Sequence, residues 1–409
     1  MKKIIAYLVC MFGCHVGFCS NSLFFNITTT EATLNITTTI PNHTYPAAGI
    51  RVNTKGYKVI NPGIDCLKAS NGYCLFAVSN TNAKRISIAG PTGNVNITLC
   101  LSGIGALTCQ NYDVPIIAGP KYAYIANDNN TVSLCPINFK GRFGTCINGG
   151  NSGIPFDGPN VIILNQAKTK AYVTNFPGNF VLLCPINADK TLGHCIDAGN
   201  TGLTFAIPFG IVLNKQETKA YVANLGNNRV LICPILSNGR FGFCEDSGNT
   251  GSDFSSPRGI AFNAVENKAY ITNANFVLIC PILHSGKFGF CEDSGNTGVN
   301  FFAPFGIALN TTETEAYIPN FGNSFVSMCP IKDNGKLGFC SDAVITGEAF
   351  SNPVWTNLNS AGTNAYVTNN GNNSVLICPI KADKSFGACV DSGNTGVPFN
   401  GPEGITLAY

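Results

Sequence analysis

The sequence predicts an all-β chain assembled from repeated four-stranded units. Three observations predict it: a composition hostile to helix, a phrase that recurs every 47 to 49 residues, and a cysteine pair of fixed spacing in each recurrence. Of 409 residues 44 are Gly, while only 3 are Met and 11 % are charged. Usual globular chains carry about a quarter charged residues. So much Gly, Asn and Thr with so little Glu, Lys or Ala makes a poor helix former.

The charge excludes some partners. The formal net charge is +3, part of it from Lys2 and Lys3, and no Lys/Arg run occurs. Nucleic-acid binding and docking on an anionic membrane both need a clustered basic face, so neither is expected.

The start reads as a leader. Lys2 and Lys3 precede an apolar run from Ile4 to Phe18, and Gly17 and Cys19 occupy small-residue positions before a cleavage point at Ser20. Residues 1–19 are therefore read as a signal peptide, and the mature chain as exported to the periplasm, cell surface or medium. Later segments lack the length and apolarity of a spanning helix.

Cys10, Cys14 and Cys19 leave with the leader, and sixteen cysteines remain. Twelve form six pairs, each eleven residues apart: Cys135 with Cys146, Cys184 with Cys195, Cys233 with Cys244, Cys280 with Cys291, Cys329 with Cys340, and Cys378 with Cys389. In an antiparallel hairpin, opposed residues have a constant index sum. The centre of the pair Cys233 and Cys244 falls between Asn238 and Gly239, a two-residue hairpin signal. Opposed residues stand close enough for a disulfide, so one cross-strand bridge per repeat is expected. Cys100 with Cys109 and Cys66 with Cys74 complete the set. Zinc sites favour short C-x-x-C knuckles and His, which these pairs lack, so neither a metal nor another cofactor is expected.

The recurring phrase is AYIAN at Tyr124, AYVTN at Tyr172, AYVAN at Tyr221, AYITN at Tyr270, AYIPN at Tyr317 and AYVTN at Tyr366. Each unit breaks into four strands; between Phe305 and Cys340 they are FGIALN, AYIPN, FVSMCPI and LGFC. Four antiparallel strands per 40–50 residues mark a propeller blade. The first strand is nearly all apolar, as an innermost strand should be. The third carries Cys-Pro-Ile, and Pro cannot donate to a ladder, so a local break is expected there.

The AYVTN phrase, with G-I-x-L-N before it and GNN after it, resembles the YVTN-type β-propeller repeat family of bacterial exported and surface proteins. The resemblance covers residues 114–409 and departs from the family pattern in the cysteine pair of each repeat. It implies fold more than function.

Pro402–Tyr409 repeats the first strand and then stops, so it is expected to complete the blade begun by Tyr124, giving six blades. A seventh, built from residues 84–112 around Cys100 and Cys109, is the alternative. Residues 22–113 carry about seven short strands of their own and read as a small β-sandwich (Ig-like) ahead of the ring.

Catalytic groups are not evident. Glu403 and Arg258 are single charges on innermost strands, read as solvated rim residues. The repeated polar residues are the candidates for a ligand face: Asn175, Asn224, Asn273, Asn320 and Asn369 after the second strand, and Asp197, Asp246, Asp293, Asp342 and Asp391 after the fourth. Both sets emerge on one side of a blade. The competing reading of the aspartates is structural, as caps of local N–H groups. Like residues in like surroundings are not split into an acid and a base. A non-catalytic monomer that binds a protein or glycan at a cell surface is the expectation, against a propeller hydrolase or lyase.

Overall fold

A computed structural model describes residues 122–409, except 139 and 344, and before them strand segments between residues 25 and 116. The expected leader and Cys66 lie outside the described residues, and with them the pairing of Cys66 with Cys74. The chain divides into Met1–Gly119 and Pro120–Tyr409. The strand Thr108–Ile116, whose residues Val114–Ile116 pair with Gly93–Val95, runs through the expected 113/114 boundary.

The first unit has two four-stranded antiparallel sheets. One orders Phe25–Thr30, Thr33–Thr38, Lys84–Ala89 and Lys58–Val59; the other orders Cys74–Ser79, Thr44–Val52, Gly93–Ser102 and Thr108–Ile116. Residues 84–112, the alternative seventh unit, are therefore split between two sheets. Cys100 and Cys109 stand opposite one another and are bonded.

The described residues of the second unit form six sheets. The first sheet orders Ile147–Asn148, Thr131–Pro136, Tyr122–Asn127 and Pro402–Ala408, so its innermost strand is the last in the sequence. The second runs consecutively through Pro159–Leu164, Lys170–Asn175, Phe180–Pro185 and Ile196–Asp197. Three more follow the same order, beginning at Pro208, Ile260 and Ala308; the last, beginning at Pro353, does so too but gains a fifth strand, Thr346–Gly347, parallel to Ala388–Asp391 at its outer edge. In the first sheet Ile405 stands opposite Ile125 and Leu407 opposite Ala123.

Each second strand buries four to six successive residues, as a strand packed on both faces must. Each third strand ends at its Pro, where a missing N–H costs nothing, and only a single bridge such as Ile235↔Phe241 continues the pairing.

The outer hairpin departs from expectation. The loop is three residues, Ser237–Gly239, not the two-residue Asn238–Gly239 turn. Leu236 N–H bonds to the Arg240 carbonyl and Gly239 N–H to the Leu236 carbonyl, both at 2.8 Å, with Gly239 at φ +92°. This is a tight turn followed by a left-handed residue, the common three-residue hairpin. One extra residue, Phe243, is then inserted between the Gly242 N–H···O=C Pro234 bond and the Leu231↔Asp246 pairing. That bulge restores the opposition of Cys233 and Cys244, whose Cα atoms stand 4.1 Å apart. The other five pairs are bonded in the same way, each within its own hairpin. Cys135 joins Cys146, Cys184 joins Cys195, and Cys280 joins Cys291. Cys329 joins Cys340, and Cys378 joins Cys389. The expected pairing therefore holds in all six sheets of this unit, although the turn that delivers it differs.

Three layers of contact close the sheets into a ring. On the inside, backbones approach so closely that a Cβ on Gly210 would lie 2.0 Å from the Arg258 carbonyl oxygen. Midway, every phrase Tyr reaches the outer hairpin of the next sheet. Tyr172 donates to the Gly239 carbonyl at 2.8 Å, Tyr221 to Gly286, Tyr270 to Gly335, and Tyr366 crosses the seam to Gly141. Tyr124 and Tyr317 make the same bond to Lys190 and Lys384. Outside, the loop leaving each sheet bonds to the edge of the next fourth strand, as Leu203 N–H does to the Cys244 carbonyl at 2.9 Å. An edge that would otherwise invite pairing is thereby covered.

Candidate functional site

The repeated polar residues occupy the end of the ring where the innermost strands begin. Their two columns behave differently. Asn175, Asn224, Asn273, Asn320 and Asn369 are all 0 % exposed. Each side-chain oxygen accepts a backbone N–H eighteen residues upstream, from Asp157, Ala206, Ser255, Phe302 and Ser351. The amide nitrogens bond inside the same blade, as Asn175 does to the Val173 carbonyl at 2.9 Å. These five are therefore interior staples and present nothing to a ligand. The requirement to satisfy buried backbone groups placed them, not recognition.

The aspartates lie at the surface or half-buried. The Oδ1 atoms of Asp197, Asp246, Asp293 and Asp391 accept the N–H of the glycine two residues on, at 2.7–2.9 Å. Asp246 also pairs with Arg229 at 3.3 Å. Asp342 differs: Ser327 Oγ donates to it at 3.1 Å, and burial pushes its carboxyl upward. Local caps are what this column builds, with the rest of each exposed carboxylate facing water.

At the channel mouth each innermost strand is entered through a Pro followed by a variable residue: Glu403, Asn160, Phe209, Arg258, Phe305 and Val354 in ring order. Phe209 and Phe305 meet at 5.2 Å across the third and fifth sheets. The Arg258 guanidinium lies 4.6 Å over the Phe305 ring and donates to the Asn273 carbonyl. It is half-buried rather than a solvated rim residue, and desolvation lowers its pKa.

Glu403 is not the solvated rim residue expected either. It is 8 % exposed, and Asn370 Nδ2 donates to its Oε1 at 2.9 Å and to Asp128 Oδ2 at 3.2 Å. Glu403 Oε2 is buried with no hydrogen-bond partner. Burial, then the charge of the neighbouring Asp128, push the Glu403 pKa up to about 8. Asp128 itself is raised, chiefly by burial. This pair sits at the closing seam, and sequence reading missed Asp128. The signal was the column after the phrase asparagine: Asp128 and Asn370 are polar in the two repeats that flank the closing strand, where others have Phe176, Leu225, Ala274 and Phe321.

One more departure from the repeat is exposed. The bulge residue is Phe243, Phe290 and Phe339 in three consecutive sheets, 63 %, 65 % and 67 % exposed, but Thr145, His194 and Ala388 in the others. Leu236 and Leu283 add apolar surface on the same hairpins, at 49 % and 50 %. Among the described residues no group of three or more His, Cys, Asp or Glu could hold a metal ion. Nor is any helix there long and apolar enough to cross a membrane.

No protein-family model matches the chain, and no curated protein does. Solved structures do. A chain of a nidogen/laminin complex shares 15 % identity over 70 % of this chain and 98 % of its own, at a TM-score of 0.53. The fold is a β-propeller. This propeller is also similar to a candidate 6-phosphogluconolactonase of Bacteroides fragilis (15 % identity; 78 % and 95 % covered; TM-score 0.49). The periplasmic gluconolactonase of Pseudomonas aeruginosa gives 12 % identity, 90 % and 99 % covered, and the same TM-score. Likenesses this distant concern shape alone. The seven disulfides among the described residues fit an oxidising compartment, outside the cytoplasm.

Proposed function

We propose that this chain is an exported six-bladed β-propeller of the YVTN type, preceded by a small β-sandwich, that acts as a non-catalytic binding scaffold at the cell surface. The carrying observation is the row of exposed phenylalanines at Phe243, Phe290 and Phe339. The repeat uses its polar groups to hold blades together, and departs from itself here by turning a large apolar ring to solvent. Exposed aromatic rings stacked against a partner supply contact area at low entropic cost. A protein surface or a sugar face are the partners that chemistry serves.

The test is a triple substitution, Phe243→Ser, Phe290→Ser and Phe339→Ser, probed on peptide and glycan arrays beside the unsubstituted protein. Binding should be lost while the melting temperature is unchanged. Array binding that survives the triple substitution would overturn the assignment of this face.

A second reading, a propeller hydrolase or lyase, rests on the Glu403–Asp128 pair. Two neighbouring carboxyls, both raised by burial, could keep one protonated as an acid near neutral pH. Hydrolysis of sugar lactones that disappears in Asp128→Asn and Glu403→Gln would establish that reading and displace the first.

A further inference from the structure

The end of the channel away from the Asp loops is built differently. Innermost strands start beside the end of the second strand, with Pro208 opposite Asn224, and finish beside its beginning, with Leu213 opposite Ala220. At that finishing end the first three sheets leave a cavity of about 400 Å³. Its aliphatic lining comes from Ile163, Val212, Leu213 and Leu407, beside the polar Asn165, Asn214 and Thr406, and the exposed Lys168, Lys215 and Gln166 line it with the partly exposed Glu217. The volume lies within the roughly 300–1,000 Å³ of small-molecule sites.

The rim departs from the repeat as the phenylalanines do. The position of Lys168 holds a glutamate in the next three repeats, Glu217, Glu266 and Glu313. Each of those glutamates accepts a backbone N–H of the preceding sheet, from Gln166, Lys215 and Ala264. The Lys215 position is Ala264, Thr311 and Ser360 further round the ring. Cations thus replace a structural acid and small residues only beside the cavity. The Lys168 ammonium donates to a main-chain carboxyl oxygen of Tyr409 at 2.5 Å and that of Lys215 to the Ala264 carbonyl. An ammonium has three donors, so each retains two. Glu217, the acidic side chain in the lining, is held by Gln166 N–H.

We propose that this cavity binds a small amphipathic carboxylate, a medium-length aliphatic acid. Its chain lies against Ile163, Val212, Leu213 and Leu407, and its carboxylate meets Lys168 and Lys215 at the rim. The apolar walls fix the tail and the two ammonium groups select the charge. This site is independent of the phenylalanine face and of the Glu403–Asp128 pair.

Titration calorimetry of the full chain with sodium octanoate, and with octanol as the neutral probe, tests it. Saturable one-to-one binding of octanoate is expected, with octanol at least about fivefold weaker. Val212→Phe fills the cavity and should abolish binding of both. Lys168→Gln with Lys215→Gln, on the exposed rim where folding is not at stake, should bring octanoate down to the affinity of octanol. Absence of saturable octanoate binding overturns the proposal, as does an octanoate affinity that the double lysine substitution leaves unchanged.

Discussion

Tyr221 illustrates how one side chain serves the whole repeat. Its ring is 2 % exposed and stacks on Phe288 of the next sheet at 5.7 Å, while its hydroxyl reaches the Gly286 carbonyl. Burial drives its pKa up to about 12, so it stays a neutral donor. Tyr221→Phe should cost about 1 kcal/mol, one hydrogen bond; Tyr221→Ala should cost about 3–5 kcal/mol, the ring and its cavity. Urea denaturation checks both. A ligand-binding defect in Tyr221→Phe without loss of stability would make this a site residue instead. Glu403 carries a pH dependence. Unfolded it titrates near 4.5, folded near 8, so the folded state holds a proton that the unfolded chain has lost. Stability is then full below 4.5 and falls as pH rises toward 8. Glu315, raised by burial to about 7, acts in the same direction and is still half protonated at pH 7, so it adds a smaller share up to about pH 8. Melting temperature should therefore fall between pH 7 and 9, by the equivalent of roughly 1–2 kcal/mol, and Glu403→Gln should remove most of that fall. A Glu403→Gln protein with an undiminished fall would assign the titration elsewhere. The packing role of Tyr221 was legible in the sequence, because a residue present in every copy cannot belong to one site. The burial of Glu403 was not. It depends on Asp128 and Asn370, which the chain brings beside it only when the ring shuts.

At the scale of the element, the outer hairpin repeats one device six times. A three-residue loop sets the turn, a bulge one residue before the second cysteine corrects the register, and the disulfide locks it. Replacing Cys233 and Cys244 by Ser should cost about 2–3 kcal/mol, the entropy of a short closed loop. Peptide mapping without reductant should find Cys233 joined to Cys244, and likewise Cys184 to Cys195, Cys280 to Cys291 and Cys378 to Cys389. A fragment joining cysteines of two different sheets would contradict the hairpin geometry. The constant spacing of eleven made the pairing readable, whereas the loop length was not. A two-residue turn without a bulge and a three-residue turn with one bring the same cysteines opposite, so spacing alone cannot separate them. The bulge then decides what is exposed, since the inserted residue leaves the alternation and faces out. Phe243, Phe290 and Phe339 owe their exposure to it. Likewise the asparagine column read as a ligand face because polar residues in loops are normally solvated, yet here they satisfy backbone groups the next loop buries.

For the whole molecule the decisive feature is the seam. Every other sheet of the ring is continuous in sequence, but the first joins Tyr122–Asn127 to Pro402–Ala408, and across it Tyr366 bonds to Gly141 and Val397 N–H to the Cys146 carbonyl. The ends of the unit thus hold one another, and an innermost strand with no partner would leave an apolar edge open. Removing residues 402–409 tests this most directly, by sedimentation and thermal melting of the truncated chain. A seam closed by that strand predicts aggregation, or a broad melt well below that of the full chain. A truncated protein that sediments as a monomer and melts cooperatively at the same temperature would contradict it.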